Sequence, residues 1–471
     1  MLTTFSGSEL FSGRFSQVIA VLSATANCLS GGMQYGWTAP VVPILESPDS
    51  PVKIEKSDIM WIENCYMLGA LAGIPFTIYS LNKFGRKYSI LISAVQNLIS
   101  WILTAFATSI GVLYTARAIQ GFSCNSIFVC APMYIAEIAD KKIRGFLGAW
   151  VYLMMLIGIA LVYAVAPFMS IPMSSLIGAI FVIIQLVTFP FMPETPYYLL
   201  LQDKVDDAIK SLQRLRPSDK VEAEMKEITA AVERQRSERG RIIDLFTVDS
   251  NQKAMVIMTV LNVTQHLSGI SVMIMNLHTI LADAASMLSP KTAAIIFSVI
   301  MLVAATVSSS MMDKMGRKMI LSISSFITAI SLISLAIYFS VKNSGIDVSS
   351  YSWVPVVAVM VYAAAFKCGL GIVPIVMTGE LFPTSVKTMG VTFADAVYCS
   401  FSVISVYLYK FLTDTYGTHV PFIIFAIICL LATVFITYYI PETKGKTLEE
   451  IQFILKDKRR KNDEKTSSVD V

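Results

Sequence analysis

The sequence predicts an all-α membrane protein: twelve transmembrane helices in two pseudo-symmetric six-helix bundles. Three observations carry this. Apolar residues make up 55% of the 471 and charged residues only 15%, too apolar a balance for soluble domains of this length. The apolar residues gather into twelve runs, each near the roughly 20 residues that cross a hydrocarbon layer of about 30 Å. Charged signatures then occur twice: Asn82 to Lys87 (Asn-Lys-Phe-Gly-Arg-Lys) returns as Asp313 to Lys318 (Asp-Lys-Met-Gly-Arg-Lys), Glu137 with Arg144 returns as Glu380 with Lys387, and Pro193-Glu194-Thr195 returns as Pro441-Glu442-Thr443. Matching loops at corresponding points of two hydrophobic halves are what a duplicated membrane domain shows.

Lipid offers backbone groups no partner, so each run must be a helix. The expected spans are 15–37, 57–80, 88–108, 112–136, 145–167, 172–192, 252–276, 291–312, 319–341, 352–378, 388–411 and 419–440. They divide the chain into a cytoplasmic N-terminus (1–14), an N-terminal six-helix bundle (15–202), a cytoplasmic linker (203–251), a C-terminal six-helix bundle (252–440) and a cytoplasmic tail (441–471). The start lacks the basic region and cleavage site of a removed signal peptide, so the first run is expected to stay as a helix. Pro48, Asp49, Ser50 and Pro51 read as a turn-rich outer loop. The sequon Asn262-Val263-Thr264 falls within the seventh run, so no N-glycan is expected.

In the linker, Val205, Ala208, Ile209, Leu212 and Leu215 keep helical spacing before Pro217, and Val221, Met225, Ile228 and Val232 do so after Ser218. Short amphipathic helices should result. The ten basic residues there form a solvated face linking the halves or touch anionic lipid headgroups. Thr447 with Glu450 reads as a capping box for a short helix through Ile451, Phe453 and Ile454. Beyond Lys456 the run is too charged to pack.

Counting lysines and arginines orients the chain. With both termini in the cytoplasm, cytoplasmic segments hold 30 of the 37, the opposite loops five (Lys53, Lys56, Lys291, Lys342, Lys410), and Arg117 and Lys367 lie within spans. A basic count concentrated in loops sets topology rather than reading nucleic acid, so no nucleic-acid partner is expected. The seven cysteines sit in apolar runs without Cys-x-x-Cys spacing, so neither a disulfide framework nor a zinc site is indicated and no metal is expected. No catalytic constellation and no phosphate-cradling glycine motif is present. Neither an enzyme nor a cofactor is expected, and a monomer suffices.

The recurring charges suggest a latch. Arg86, Glu137, Arg144 and Glu194 would gather as one cytoplasmic cluster, and Arg317, Glu380, Lys387 and Glu442 as its mirror. Opposite charges that meet in one conformation and part in another bias a two-state switch. An exposed pair is worth only about 0–1 kcal/mol, so such a cluster must be partly desolvated to matter. Charges that merely fix topology are the alternative.

These motifs resemble the sugar porter family of the major facilitator superfamily over nearly the whole chain. They are the two Gly-Arg-Lys loops, Arg117 with Gly121, Pro132 through Glu137 to Arg144-Gly145, Pro193 to Pro196, Gln265-His266-Leu267-Ser268-Gly269, and Pro441 to Gly445. Gly32 through Pro40 is similar to the first helix of the insect trehalose-transporter-like branch. The resemblance implies two six-helix bundles rocking about a central sugar site, the clusters above stabilising the outward-facing state. Asn82 departs from the family's acid, which Asp313 keeps, and Tyr197 departs from its arginine.

A sugar is a ring of hydroxyls with apolar faces, so its reader needs amides and aromatic walls. Polar side chains in lipid are costly unless partnered, which marks Gln34, Gln265, His266 and Asn276 as substrate-binding candidates; interhelical hydrogen bonding is the alternative for each. The resemblance places His266 at a second glutamine, Ser271 at an asparagine, Tyr152 at a fifth-helix glutamine and Ile375 at a tenth-helix tryptophan. The bend-forming glycines and Pro374 remain. The family's first-helix proton carboxylate is absent, with Thr38 near that place. Lys367 and Asp395 are within spans, most economically as a mutual pair. The expected function is facilitated diffusion of a small sugar, hexose or trehalose, across the cell membrane. Proton-coupled symport through His266 or Asp395, or a non-transporting sugar sensor, are the alternatives.

Overall fold

The computed structural model describes residues 14–48, 50, 52–140, 143–237, 240–284, 289–383, 385–446 and 450–456. Expectations for Asp49, Pro51, Thr447 and the tail beyond Lys456 lie outside the described residues, as does the side chain of Asp313. The chain forms two compact units, 1–237 and 238–471.

Among the described residues eleven helices are long and apolar enough to cross a membrane, Gly85–Ala105, Ile110–Ile138, Arg317–Asn343 and His419–Tyr439 being four of them. The first, Arg14–Gly36, spans 23 residues, long enough to cross, but is more polar. It buries Gln17, Asn27 and Gln34 inside its unit rather than meeting lipid. Helices then run outward with apolar faces: Ile102, Ile183 and Val187 in the first unit and Ile330, Ile337 and Leu431 in the second are exposed, as side chains facing acyl chains must be.

The repeat is visible in packing. Within the first unit, helix 56–83 packs on 110–138, 85–105 on 110–138 and on 171–188, and 14–36 on 144–165. Within the second, 290–315 packs on 353–368, 317–343 on 353–368 and on 419–439, and 249–267 on 387–416. The same four pairings recur at the same ordinal positions. Small residues permit the closest of them: a Cβ at Gly121 would overlap the Tyr66 carbonyl on the facing helix.

The linker folds as helices Val205–Leu215 and Ser218–Ser237. The first buries Ala208, Leu212 and Leu215, and Gln17 Nε2 donates to the Leu215 carbonyl at 3.0 Å, tying it to the first helix. Arg216, buried at the break, pairs with Glu224 at 2.7 Å and donates to the Ile138 carbonyl. The linker helices thus dock on the N-terminal unit.

Candidate functional site

In the first unit Gly85 begins a helix at φ +88°, where a Cβ would strike Glu194 and Tyr198. Only glycine brings the chain this close to the carboxylate. Glu194 accepts the Lys87 main-chain N–H at 3.0 Å and that of Thr195 at 2.8 Å. Arg86, now directed inward, reaches Glu137 through Nη2 at 2.8 Å and Nε at 3.0 Å. The other Glu137 oxygen accepts the Thr195 hydroxyl at 2.6 Å. Tyr198 lies under the guanidinium at 5.3 Å and donates to the Lys83 carbonyl. Three loops are knitted by one charge network.

The second unit repeats this. Gly316, at φ +91°, sits where a Cβ would meet the Glu442 carboxylate. Glu442 accepts main-chain N–H groups of Arg317 at 2.9 Å, Lys318 at 3.1 Å and Lys444 at 3.0 Å, while Arg317 Nη2 pairs with Glu380 at 3.2 Å. Two expected members stand apart. Arg144 is exposed and its Nη2 donates to the Ala139 carbonyl at 3.3 Å, and Lys387 lies half-buried without an ion pair to Glu380. Each opens its helix: Arg144 turns back to the loop before it, whereas the Lys387 ammonium stays beside Gly379, next to Glu380, which acts on it through space without an ion-pair contact.

The equivalent carboxylates titrate oppositely. Burial pushes Glu194 up to about 7, a rise that Glu137 adds to and that the N–H donors and Arg86 only partly offset. Burial also pushes Glu442 upward, but donors from Lys444, Arg317, Lys318 and Thr443 outweigh it and hold it below the usual range. Because the folded pKa of Glu194 lies above the unfolded value, its contribution is fully present below pH about 4.5 and is lost as pH rises to about 7. Glu194→Gln should therefore flatten the fall in thermal stability between pH 5 and pH 8. An unchanged slope in that variant would reject the assignment.

In the second unit the seventh span is interrupted. Helix Asp249–Leu267 ends, Gly269 takes φ +87°, and Ile270–Ala284 continues. The tenth is interrupted too, between Trp353–Cys368 and Val373–Leu381, at the glycine and proline run that predicted a bend. The breaks are linked: Gln265 Nε2 donates to the Leu370 carbonyl at 2.5 Å and the Tyr362 hydroxyl to the Ser268 carbonyl at 3.1 Å. His266 is fully buried, its Nδ1 3.0 Å from Ser271 Oγ and its ring 4.1 Å from that of Tyr398. Ser271 continues to Ser402 at 3.1 Å. Among the described residues His266 Nε2 has no hydrogen-bond partner. Asn276 is half-buried one helical stretch beyond Ser271, and Ile375 is exposed.

In the first unit Gln34 is fully buried and its amide donates to Asn97 and, at 3.1 Å, to Ser100. The amide nitrogen thus bonds a neighbouring helix, while its Oε1 has no hydrogen-bond partner among the described residues. Tyr152 is half-buried on helix 144–165. Arg117, fully buried, donates to the carbonyls of Ile62 at 3.2 Å and Gln34 at 2.8 Å, to Gln120, and to the Thr38 hydroxyl at 3.2 Å. Its guanidinium is 4.6 Å from the Tyr66 ring centroid. Lys367 is buried with its ammonium 5.6 Å from the Phe366 ring centroid, and Asp395 is half-buried.

Sequence reasoning missed the break at Ser268–Gly269, the Thr195 contact to Glu137, and Glu63, a carboxylate only 2% exposed within the second span. The signals were the glycine after a serine in an apolar run, the threonine repeated at Thr443, and a lone acid among apolar residues.

Known proteins align with this arrangement. The family described as Sugar (and other) transporter matches residues 16–455. The facilitated trehalose transporter Tret1 of Aedes aegypti is 31% identical over 443 residues, 93% of this chain and 55% of that protein. Tret1 of Polypedilum vanderplanki is 30% identical over 447 residues, 93% and 88%. The chain spans about half the length of the Aedes relative. Among solved structures, the major facilitator superfamily proton:xylose symporter XylE bound to 6-bromo-6-deoxy-D-glucose superposes with TM-score 0.73 at 23% identity, covering 96% of this chain and all of that one. An inward open XylE from E. coli gives 0.74 at 22%, covering 93% and 98%. The chain belongs to the sugar (and other) transporter family and has the major facilitator fold.

Proposed function

We propose that the chain carries a small sugar, hexose or trehalose, across the cell membrane by facilitated diffusion through alternating access, as a monomer with both termini in the cytoplasm. The observation that supports this best is the pair of interrupted helices in the second unit. Irregular backbone at membrane depth persists only where protein buries it or a polar cavity meets it. Here it sits beside Gln265, Ser271 and a His266 nitrogen with no protein partner. These offer hydroxyl-reading groups, and Tyr398 an aromatic wall. Gln34, Tyr152 and Asn276 remain substrate-contact candidates, and Arg86, Glu137, Glu194, Arg317, Glu380 and Glu442 are proposed as the gate network, with Arg144 and Lys387 at its edge.

The names of the insect relatives favour trehalose, and the Thr38 hydroxyl on Arg117 favours an uncoupled carrier, since no carboxylate stands at that first-helix position. One observation favours proton coupling: buried Glu63 follows Ile62, whose carbonyl takes Arg117 Nε. A radiolabelled uptake panel of trehalose, glucose, fructose and polyols, with and without an inward proton gradient, separates the readings. Gradient-independent uptake is expected, and stimulation by the gradient would favour Glu63. In the same assay His266→Ala should lower kcat/KM for uptake roughly tenfold, the worth of one ligand hydrogen bond, with His266→Gln retaining more. Wild-type uptake in both variants would remove His266 from the site.

A further inference from the structure

The N-terminal unit has an open cleft of about 600 Å³. Its walls are the ends of three membrane helices, at Lys83–Phe84, Lys87–Tyr88 and Met192–Pro193, together with Lys204 and the linker helix that follows it. Five cations line it, Lys83, Lys87, Lys204, Lys210 and Arg214, against the carboxylates Glu194 and Asp207. Both carboxylates are engaged, Glu194 by main-chain N–H groups and Asp207 by Lys210 at 4.0 Å.

The cations are less well served. Lys83 Nζ meets the Tyr79 hydroxyl at 2.6 Å, and Lys87 Nζ the Pro190 carbonyl at 2.6 Å. Among the described residues the exposed Lys204 ammonium and Arg214 guanidinium have no ion-pair partner. Like charges gathered around one concavity repel unless an anion enters, and the field they make there attracts one. Several ammonium donors and a guanidinium fork suit the tetrahedral oxygens of a phosphate. The flank is apolar: Phe84, Tyr88 and, beside them, Phe191 are exposed at 39%, 57% and 75%. Aromatic side chains at the ends of spans sit at headgroup level.

We propose that this cleft binds a phosphate-bearing anion, the aromatic rim favouring the headgroup of an anionic phospholipid over a soluble phosphate ester. The site is separate from the sugar reading and holds whichever solute is carried.

The test uses the full chain purified in detergent. Native mass spectrometry measures binding of phosphatidylinositol 4-phosphate against phosphatidylcholine, with glycerol 3-phosphate and inorganic phosphate in parallel. The double variant Lys204→Gln/Arg214→Gln is compared with Lys226→Gln/Arg241→Gln, which loses the same charge elsewhere. The phosphorylated lipid should be retained over phosphatidylcholine by the unmodified protein. Its affinity should fall roughly thirtyfold in the first variant, as two cations beside a lipid surface imply, and little in the second. If glycerol 3-phosphate or inorganic phosphate binds with the same loss while the lipid does not, the phosphate site stands and its source is soluble. Equal loss in both double variants, or no phosphate-dependent binding in any arm, overturns the proposal.

Discussion

Replacing Arg86 with alanine is expected to lower stability by about 3–5 kcal/mol, the cost of leaving a largely buried partner charge uncompensated. Arg86 and Glu137 are 10% and 13% exposed and meet at 2.8 Å through two donors. Adding Glu137→Gln to Arg86→Ala should recover part of the loss, because the orphaned charge is then removed as well. The mirror variant Arg317→Ala should cost less, since Arg317 and Glu380 are 13% and 25% exposed and meet at 3.2 Å. Thermal unfolding of the four proteins in detergent checks the ordering. Equal effects at the two sites, or no rescue, would mean that these pairs only mark topology. Under the proposed function, Arg86→Ala should also shift the carrier away from the state the latch holds, seen as unequal uptake and efflux.

A second large effect is expected at Gly121. Its Cβ would lie inside contact distance of the Tyr66 main chain and the Ala70 nitrogen, so helices 56–83 and 110–138 must separate to admit any side chain. Interior overpacking typically costs about 1–3 kcal/mol, and more when the obstacle is backbone that cannot swing away. Gly121→Leu should abolish folded protein, and Gly121→Ala should lower the thermal midpoint clearly. Gly145→Ala, where a Cβ meets nothing within 4 Å, should be neutral or slightly stabilising. Size-exclusion profiles and thermal midpoints distinguish these outcomes; a well-folded Gly121→Leu would contradict the close helix contact.

Much of the fold was legible because lipid simplifies the code. Long apolar runs can only be helices, and the twice-written Gly-Arg-Lys loops reveal a duplication that packing then repeats. Interruptions were harder to see. Pro374 with Gly369 and Gly371 announced the tenth-helix break, but the seventh turns on a single Gly269 whose positive φ no periodicity exposes. Among site residues, Gln265 and His266 stood out as polar groups in an apolar stretch, and they do lie at linked helix breaks. Gln34 stood out for the same reason; its nitrogen meets Asn97 and Ser100 on a neighbouring helix, which satisfies half of the amide and leaves Oε1 without a partner among the described residues. Spacing grouped Arg144 with Glu137, but spacing does not carry the direction in which a side chain at a helix start leans, and Arg144 turns back to Ala139; Lys387 stays near Glu380 without an ion-pair contact.

The proposed function is facilitated passage of a small sugar across the membrane, and counterflow in proteoliposomes tests it most directly. Vesicles loaded with unlabelled trehalose, glucose or fructose should accumulate the labelled form transiently, saturably and without an imposed proton gradient, for at least one of the three. Absence of counterflow for every carbohydrate, from protein that is folded by its thermal midpoint, would contradict it.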